Sequence, residues 1–178
     1  SSEWKTGQMQ LVGDFDAFSF LGTAGDRIVF GAVVTGGTFE SNLTLYPPGG
    51  GAAVVNTYTG DRLDTQLAQT GTYTVVVEDY YIASTGSYSV SFLNITAGPL
   101  TNGSDIDGGL IVSAELKSAS FTTAPDFDAW RFTGTNGDRI LISAANTSAG
   151  TRNTTTYLYP PNGAAAVVAS ATDRSDYQ

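Results

Sequence analysis

The carboxylates with the most suggestive spacing lie in a glycine-rich segment at residues 102–108, which reads NGSDIDG. Asp105 and Asp107 alternate there with small or polar residues. Calcium takes several carboxylate and carbonyl oxygens in loops of this kind, so the segment is a candidate calcium site. It resembles an EF-hand loop only loosely, because no glutamate follows at the spacing that bidentate ligation requires.

Two pairs of the form Asp-x-Asp are further calcium candidates: Asp14 with Asp16, and Asp126 with Asp128. The alternative is that these side chains accept hydrogen bonds from backbone N–H groups and so stabilise turns. Paired carboxylates also catalyse glycoside hydrolysis. We disfavour that interpretation because the pair occurs twice, whereas a catalytic pair has no need to recur in each structural repeat.

Carbohydrate is the other chemistry that the surface residues suggest. Five asparagines precede the x-Ser/Thr pattern of N-glycosylation, and we predict a glycan on at least one of them. These are Asn42, Asn94, Asn102, Asn146 and Asn153. Tyr80 and Tyr81 fall between two predicted strands and are candidates for stacking against a polymer.

Composition excludes several classes of function. The chain has no histidine and no cysteine, which removes the commonest general base, the usual catalytic triads, most zinc sites and all disulfides. We therefore predict that the protein is not an enzyme and requires no cofactor, with calcium as the one candidate ion. A net charge of −9 opposes binding to nucleic acid or to anionic lipid.

The same composition indicates an extracellular or cell-surface location. Charged residues make up 14% of the chain, against about 25% in ordinary soluble domains, and Gly, Ser, Thr and Asn take their place. The absence of cysteine fits a secreted bacterial protein. Apolar runs are of strand length and far short of the ~20 residues of a membrane span. Ser1 is typical of a processed start.

An internal repeat is the main feature of the sequence. Residues 1–5, 14–18 and 22–28 recur at 113–117, 126–130 and 134–140, an offset of 112. Residues 45–48 recur at 158–161 after one inserted residue, and residues 61–62 recur at 173–174. Gln178 is thus the counterpart of Gln66, and the chain contains two copies of one unit.

We assign module one to residues 1–97 and module two to residues 98–178. Module two has no counterpart of residues 67–112, and module one has no counterpart of the leading segment 98–112. A sandwich without those strands exposes sheet edges and half a core. We expect a following repeat or a neighbouring chain to complete module two, and so predict self-association into a polymer or a long array.

Alternation of polar and apolar residues predicts strands throughout both modules. In module one the predicted strands are 15–20, 26–34, 42–46, 53–58, 72–78 and 87–93. In module two they are 127–132, 139–145, 155–159 and 165–170. No apolar stripe of helical period lasts three turns. The predicted fold class is all-β, with tandem antiparallel β-sandwich modules and essentially no helix.

Five motifs occur in a fixed order along the chain. They are Asp-x-Asp-Ala-Phe at 14–18, Gly-Asp-Arg-Ile at 25–28, Leu-Tyr-Pro-Pro-Gly-Gly at 45–50, Thr-Gly-Thr-Tyr-Thr-Val-Val-Val at 70–77 and Thr-Gly-Ser-Tyr-Ser-Val-Ser at 85–91. This series resembles the bacterial pre-peptidase C-terminal (PPC) domain, once in full and once in part. The resemblance implies a secreted, non-catalytic sandwich of jelly-roll type, and some relatives bind calcium or substrate polymers.

Two functions remain open from the sequence. The first is a structural repeat module of an extracellular filament, matrix or surface protein, assembled by module–module packing and by strand complementation between subunits. The alternative is a non-catalytic accessory domain that binds a protein or polysaccharide for a secreted hydrolase. Neither function involves nucleic acid or a membrane span.

Overall fold

The structure is a computed structural model that describes residues 3–103, 105–122, 124–147, 154–170 and 174–177. Every regular element in those ranges is a strand, and none of the described residues forms a helix able to cross a membrane. The strands are β1 Glu3–Met9, β2 Phe15–Gly22, β3 Arg27–Gly37, β4 Ser41–Tyr46, β5 Val55–Asn56, β6 Arg62–Gln66, β7 Gly71–Asp79, β8 Gly86–Asn94, β9 Gly109–Leu110, β10 Trp130–Arg131, β11 Ile140–Ser143, β12 Thr156–Leu158, β13 Val168–Ser170 and β14 Arg174–Tyr177.

Module one is an antiparallel sandwich of two four-stranded sheets, which confirms the predicted fold class. Sheet A has the order β1-β8-β3-β6, and sheet B has the order β2-β7-β4-β5. The predicted alternation holds in β2, where exposed Phe15 and Ala17 alternate with half-buried Asp16 and Phe18. Because side chains point to opposite faces in turn, each sheet places one apolar face against the other sheet.

The core lies between the two sheets. Leu43, Leu45, Val75 and Val77 of sheet B are fully buried and pack with the apolar residues of sheet A. Tyr88 is also completely buried. A buried leucine of this kind contributes about 2–5 kcal/mol to stability when judged by truncation to alanine.

Residues 98–178 do not repeat β7 and β8, which are central strands of module one. β7 pairs with β2 on one side and with β4 on the other. β8 lies in the same way between β1 and β3. Because β7 and β8 are each central in a different sheet, removal of both strands would split both sheets.

Module two forms two of the strand pairs of module one that involve neither β7 nor β8. β11 pairs with β14 in the register that β3 makes with β6, as Ser143↔Arg174 corresponds to Gly31↔Arg62. β12 pairs with β13 as β4 pairs with β5. The prediction of longer strands at 127–132 and 139–145 is wrong, because the described strands there are Trp130–Arg131 and Ile140–Ser143. Their counterparts in module one are extended by pairing with β7 and β8.

The counterpart of β1 in module two, residues 115–121, is exposed and lies in no strand. Phe121 is 62% exposed, whereas its counterpart Met9 is 2% exposed in module one. The same residue position is thus part of a core in one module and solvated in the other.

Candidate functional site

The contact between the two modules contains a polar site built around the carboxylate of Asp64. Tyr159 of module two lies over the outer face of sheet A, where its hydroxyl donates to Asp64 Oδ2 at 2.5 Å. Arg62 Nη2 donates to the same hydroxyl at 2.5 Å and lies 2.8 Å from Asp64 Oδ2. Arg27 Nε completes the group at 2.5 Å from Asp64 Oδ1. The Asp64 carboxylate thus binds two arginines of module one and one tyrosine of module two.

Burial at the contact changes the proton affinities of this group. Burial and the hydrogen bond to Asp64 raise the pKa of Tyr159 to about 12, although Arg62 opposes the shift. Burial alone lowers the pKa of Arg62, but the neighbouring Tyr159 and Asp64 outweigh it and raise the pKa. Arg62 is therefore a cation and Tyr159 a neutral hydrogen-bond donor at any physiological pH.

Aromatic faces reinforce the same contact. The Arg62 guanidinium lies 4.2 Å from the Tyr157 ring centroid, and that of Arg27 lies 5.7 Å from the Tyr159 ring. Cation–π contacts of partly desolvated arginines contribute about 0.5–2 kcal/mol each. The guanidinium groups are thus held both by a carboxylate and by rings.

Close packing surrounds the polar group. Module one has no side chain at Gly31, and a Cβ there would lie 2.6 Å from Cζ of Phe127. Arg131 donates to the Ile95 and Thr96 carbonyls at 3.0 and 3.2 Å. Gln66 donates to the carbonyl of Asn162 at 2.8 Å. The outer face of sheet A is consequently buried, with Val29 and Leu93 only 2% and 3% exposed.

The repeat gives several of the contact residues counterparts in the other module. Phe15 and Tyr46 are the counterparts of Phe127 and Tyr159, and they are 64% and 36% exposed on sheet B. The counterparts of Arg62 and Asp64 are Arg174 and Asp176 in β14. The repeat departs at three other contact positions, where Ser143 corresponds to Gly31, Thr44 to Tyr157 and Ser19 to Arg131. The contact is heterologous, since one module uses sheet A and the other uses residues of the sheet B type.

The predicted calcium residues do not form two equivalent sites. Asp105, Asp107 and Asp128 converge, with one carboxylate oxygen of each within 4.8 Å of the others. Parallel pairing of β9 with β10 brings them together, because β9 follows the 102–108 loop and β10 follows Asp128. The sequence prediction treated the loop and the Asp-x-Asp pair separately, and no local spacing indicates that they meet.

Asp128 is the carboxylate with the most perturbed environment. Burial raises its pKa to about 7, with further contributions from Asp126, Asp105 and Asp107. Its Oδ1 atom is buried and has no hydrogen-bond partner among the described residues. A buried unsatisfied carboxylate oxygen is costly, and in native proteins it usually indicates a missing donor or ion.

Asp105 and Asp107 each accept a hydrogen bond from a backbone N–H group. The remaining aspartates are also hydrogen-bonded, which favours the turn interpretation for Asp14 and Asp126. Asp14 Oδ2 accepts from the Gln10 backbone N–H at 2.8 Å, and Asp126 Oδ2 accepts from that of Thr122 at 3.0 Å. Asp16 Oδ2 accepts from the Tyr88 hydroxyl at 2.5 Å. Neither Asp14 nor Asp16 belongs to the convergent acidic group.

The glycosylation candidates separate by burial. Asn42 and Asn94 are only 5% and 9% exposed, and their side-chain amides donate to Glu78 and Asp26. A glycan on either would break these bonds, so the structure opposes both sites. Asn102 is half-buried and Asn146 is exposed, and there the prediction stands untested. Asn153 lies outside the described residues.

The predicted aromatic pair is exposed at one end of module one. Tyr80 and Tyr81 are 40% and 66% exposed, and their rings meet edge to face at 5.0 Å. Tyr58, which sequence reasoning missed, extends the group, with its ring centroid 6.4 Å from that of Tyr80.

A small cavity lies between the sheets beside Lys5 and Phe18. Its volume is about 30 Å³, which is enough for a water molecule.

No family profile and no curated protein sequence matches the chain. Solved structures similar to it include PliG of Aeromonas hydrophila, a periplasmic lysozyme inhibitor of g-type lysozyme. The two sequences are 15% identical and the TM-score is 0.43, and the match covers 51% of this chain and 83% of PliG. Salmonella Typhimurium PliG has 16% identity and a TM-score of 0.39 over 51% and 88% of the two chains. A mutant of Escherichia coli PliG has 17% identity and a TM-score of 0.39 over 52% and 86%. A likeness this distant carries no argument about function.

Proposed function

We propose that this chain is an extracellular, non-catalytic, PPC-like repeat module that works by binding protein, with modules packed head to tail in a filament, matrix or surface array. The observation that carries the proposal is the contact of Tyr159 with Arg62 and Asp64 across the two modules. Heterologous contacts that do not close into a ring continue indefinitely. The exposed counterparts Phe15 and Tyr46 give module one two of the side chains that make this contact.

Sedimentation of the purified chain over a range of concentrations tests this proposal. We expect concentration-dependent association, and we expect Phe15→Ser with Tyr46→Ala to weaken it at least tenfold. Both side chains are solvated in the single chain, so the fold should survive, and circular dichroism checks this. Tyr81→Ala, another exposed aromatic, is the matched control and should associate normally. A chain that stays monomeric throughout, or that associates equally well in all variants, contradicts the proposal.

The second candidate is a non-catalytic accessory domain that binds a polymer, and the exposed group of Tyr58, Tyr80 and Tyr81 favours it. Exposed rings at right angles offer apolar faces and hydroxyls to sugar or peptide. This function predicts co-sedimentation with an insoluble polymer such as collagen, chitin or cellulose. Tyr80→Ala with Tyr81→Ala should then lose polymer binding, while Phe15→Ser should keep it.

We propose separately that Asp105, Asp107 and Asp128 bind a calcium ion. Three carboxylates within reach of one another supply hard oxygen ligands of the type calcium prefers. Titration calorimetry of the chelator-treated protein should show calcium heat that Asp105→Asn with Asp107→Asn removes. If no heat of calcium binding is measured and calcium does not change the melting temperature, the proposal of a calcium site is contradicted.

A further inference from the structure

Three loops of module one meet at one end of the sandwich and expose an apolar surface. The turn from β1 to β2 adjoins the loop from β7 to β8, because a Cβ on Gly13 would lie 3.6 Å from Cγ2 of Ile82. The turn from β5 to β6 joins them through Tyr58, whose ring centroid is 6.4 Å from that of Tyr80. We call this surface the apolar tip, and each of its side chains is at least 40% exposed. They are Leu11, Val12, Tyr58, Tyr80, Tyr81 and Ile82.

Two residues of the apolar tip have a backbone conformation that glycine normally adopts. The φ angle is 56° at Tyr58 and 53° at Ile82. This left-handed region is unfavourable for a bulky or β-branched side chain. Such conformations persist where the surrounding structure imposes them, and they are concentrated at binding and catalytic sites.

Hydrogen bonds to buried or partly buried side chains impose the shape of these loops. Asp79, at the end of β7, is 2% exposed. Its Oδ2 atom accepts from two backbone N–H groups of the β7–β8 loop, each at 2.8 Å, and its Oδ1 atom accepts from that of Glu40 at 3.1 Å. Asn56 Oδ1 accepts from the backbone N–H of Tyr58 at 2.7 Å. The apolar tip is therefore preorganised, which reduces the entropy that binding would cost.

The repeat separates the apolar residues of the tip from the residues that form its turns. Residues 10–14 read QLVGD, and their counterparts at 122–126 read TTAPD. Residues 57–61 read TYTGD, and the counterpart segment at 170–173 reads SATD. The aspartate at the end of each turn is thus present in both modules, whereas leucine, valine and tyrosine are present only in module one. This difference indicates a role of the apolar side chains that is specific to module one.

The charge around the apolar tip favours a cationic partner. The loops at this end, residues 10–14, 38–40, 57–61 and 80–85, contain three carboxylates and no lysine or arginine. Tyrosine faces attract guanidinium and ammonium groups, and nearby carboxylates add to that attraction.

The arrangement of the side chains favours protein over polysaccharide. The ring of Tyr80 lies at 75° to that of Tyr58 and at 80° to that of Tyr81. The three rings therefore form a corner and not a flat platform on which a sugar chain could stack. Leu11 and Ile82 beside them have no group that hydrogen-bonds to a sugar hydroxyl. Exposed apolar patches with a polar rim are typical of surfaces that bind protein.

We propose that the apolar tip binds a partner protein through an exposed segment in which lysine or arginine stands beside apolar side chains. The proposal rests on the second candidate function, polymer binding by the exposed tyrosines, and names protein as the class of polymer. The apolar side chains of the segment pack against Leu11, Val12 and Ile82, and its cations lie over the tyrosine faces. Aromatic residues on a rigid surface supply much of the free energy in such contacts.

Selection from a phage-displayed library of random dodecapeptides, with the full chain as target, tests the proposal. We expect the enriched peptides to combine lysine or arginine with apolar residues, and their affinity to fall as salt rises, because salt screens exposed charges. Synthetic copies should bind about tenfold or more weakly to a chain with Tyr58→Asn and Ile82→Gly. Leu21→Ser removes an apolar side chain that is 81% exposed elsewhere on β2. It is the matched control and should bind normally.

Thermal unfolding of the same variants separates a binding role from a structural one. Asparagine and glycine accept the left-handed conformation, so we expect Tyr58→Asn with Ile82→Gly to keep or raise the melting temperature while it weakens binding. Leu11→Thr with Val12→Ala introduces the residues of module two and should have the same two effects. A lower melting temperature in both variants would assign these side chains to the fold and would overturn the proposal.

Three further results would also overturn it: equal binding of the peptides to the tip variants, enrichment of acidic or uncharged peptides, or no enrichment. If chitin or cellulose binds the chain and not the tip variants, the second candidate function stands and the apolar tip is a carbohydrate site. Head-to-tail packing is judged separately by sedimentation of the Phe15 and Tyr46 variants, which should keep their affinity for the peptides. Failure of this proposal is therefore distinguishable from failure of the proposed function.

Discussion

The two modules carry nearly the same residues at matching positions but differ in how far those residues are buried. Leu45 of β4 is completely buried, whereas its counterpart Leu158 in β12 is only partly buried. Both β4 and β12 pair with the strand that follows, and only β4 also pairs with a central strand. The comparison teaches that the local strand pairs of this unit form from nearby sequence, while the closed core of module one also contains side chains of β7 and β8.

The largest effect is expected from truncating the matched leucines. Leu45→Ala should lower the free energy of unfolding of module one by about 2–5 kcal/mol, because it leaves a cavity in a closed core. Leu158→Ala should cost about 1 kcal/mol or less, since its surroundings are open to water. Denaturant-dependent hydrogen exchange, followed separately in each module, measures both losses. Equal losses would contradict the contrast between a closed and an open module.

Removing the hydroxyl of Tyr88 should make Asp16 resemble Asp128. Tyr88→Phe leaves a carboxylate without its hydrogen-bond donor, and we expect module one to lose about 1.5–3 kcal/mol. Urea unfolding followed by tryptophan fluorescence measures the change. Tyr73→Phe removes a hydroxyl that bonds only neutral backbone groups of Gln69, so it should cost less. A larger loss from Tyr73→Phe would indicate that the charge of Asp16 is unimportant.

The pH dependence of module two should report Asp128. Its pKa is raised to about 7 by burial and neighbouring carboxylates, so the folded state holds a proton that the unfolded state releases near pH 4. Stability from this group is therefore present at low pH and lost as pH rises from about 4 to about 7, by roughly 1–3 kcal/mol after allowance for solvent. Asp128→Asn should flatten this slope in chelator-containing buffer. A slope unchanged by the substitution would contradict the assignment.

The contact between modules should give the smallest change. Tyr159→Phe removes the hydroxyl shared by Arg62 and Asp64. Because Asp64 keeps Arg27 and Arg62 as partners, we expect a loss of only about 0.5–1.5 kcal/mol in the coupling of the two modules. Tyr46→Phe, at the exposed counterpart, should change nothing in dilute protein. Thermal unfolding of both variants measures the difference, and an equal effect of the two substitutions would contradict the role given to Tyr159.

The strands and the repeat could be predicted because their signals are local. Alternation identified the long strands of module one, as in Phe15–Gly22 and Gly71–Asp79. The proline pair after Tyr46 marked the end of β4, since proline cannot donate to a sheet. β6, Arg62–Gln66, escaped prediction because it is short and largely polar, and its outer residues serve the contact with module two.

The sites depend on distant pairing that no local pattern encodes. Arg62 and Tyr159 are 97 residues apart in the chain, and composition gives no indication that they meet. Asp128 joins Asp105 and Asp107 only through the short parallel pair β9–β10. The repeat held one usable signal, because Asp128 occupies the position that corresponds to Asp16.

Electron cryomicroscopy of native assemblies, imaged before any denaturing step, tests the central claim most directly. The account predicts filaments or arrays with a regular repeat of one or two modules, in which residues equivalent to Phe15 and Tyr46 lie against residues equivalent to Arg62 and Asp64 of the next module. Dispersed single chains, or modules joined only by flexible connections without this contact, would contradict it and would leave polymer binding as the better account of the protein.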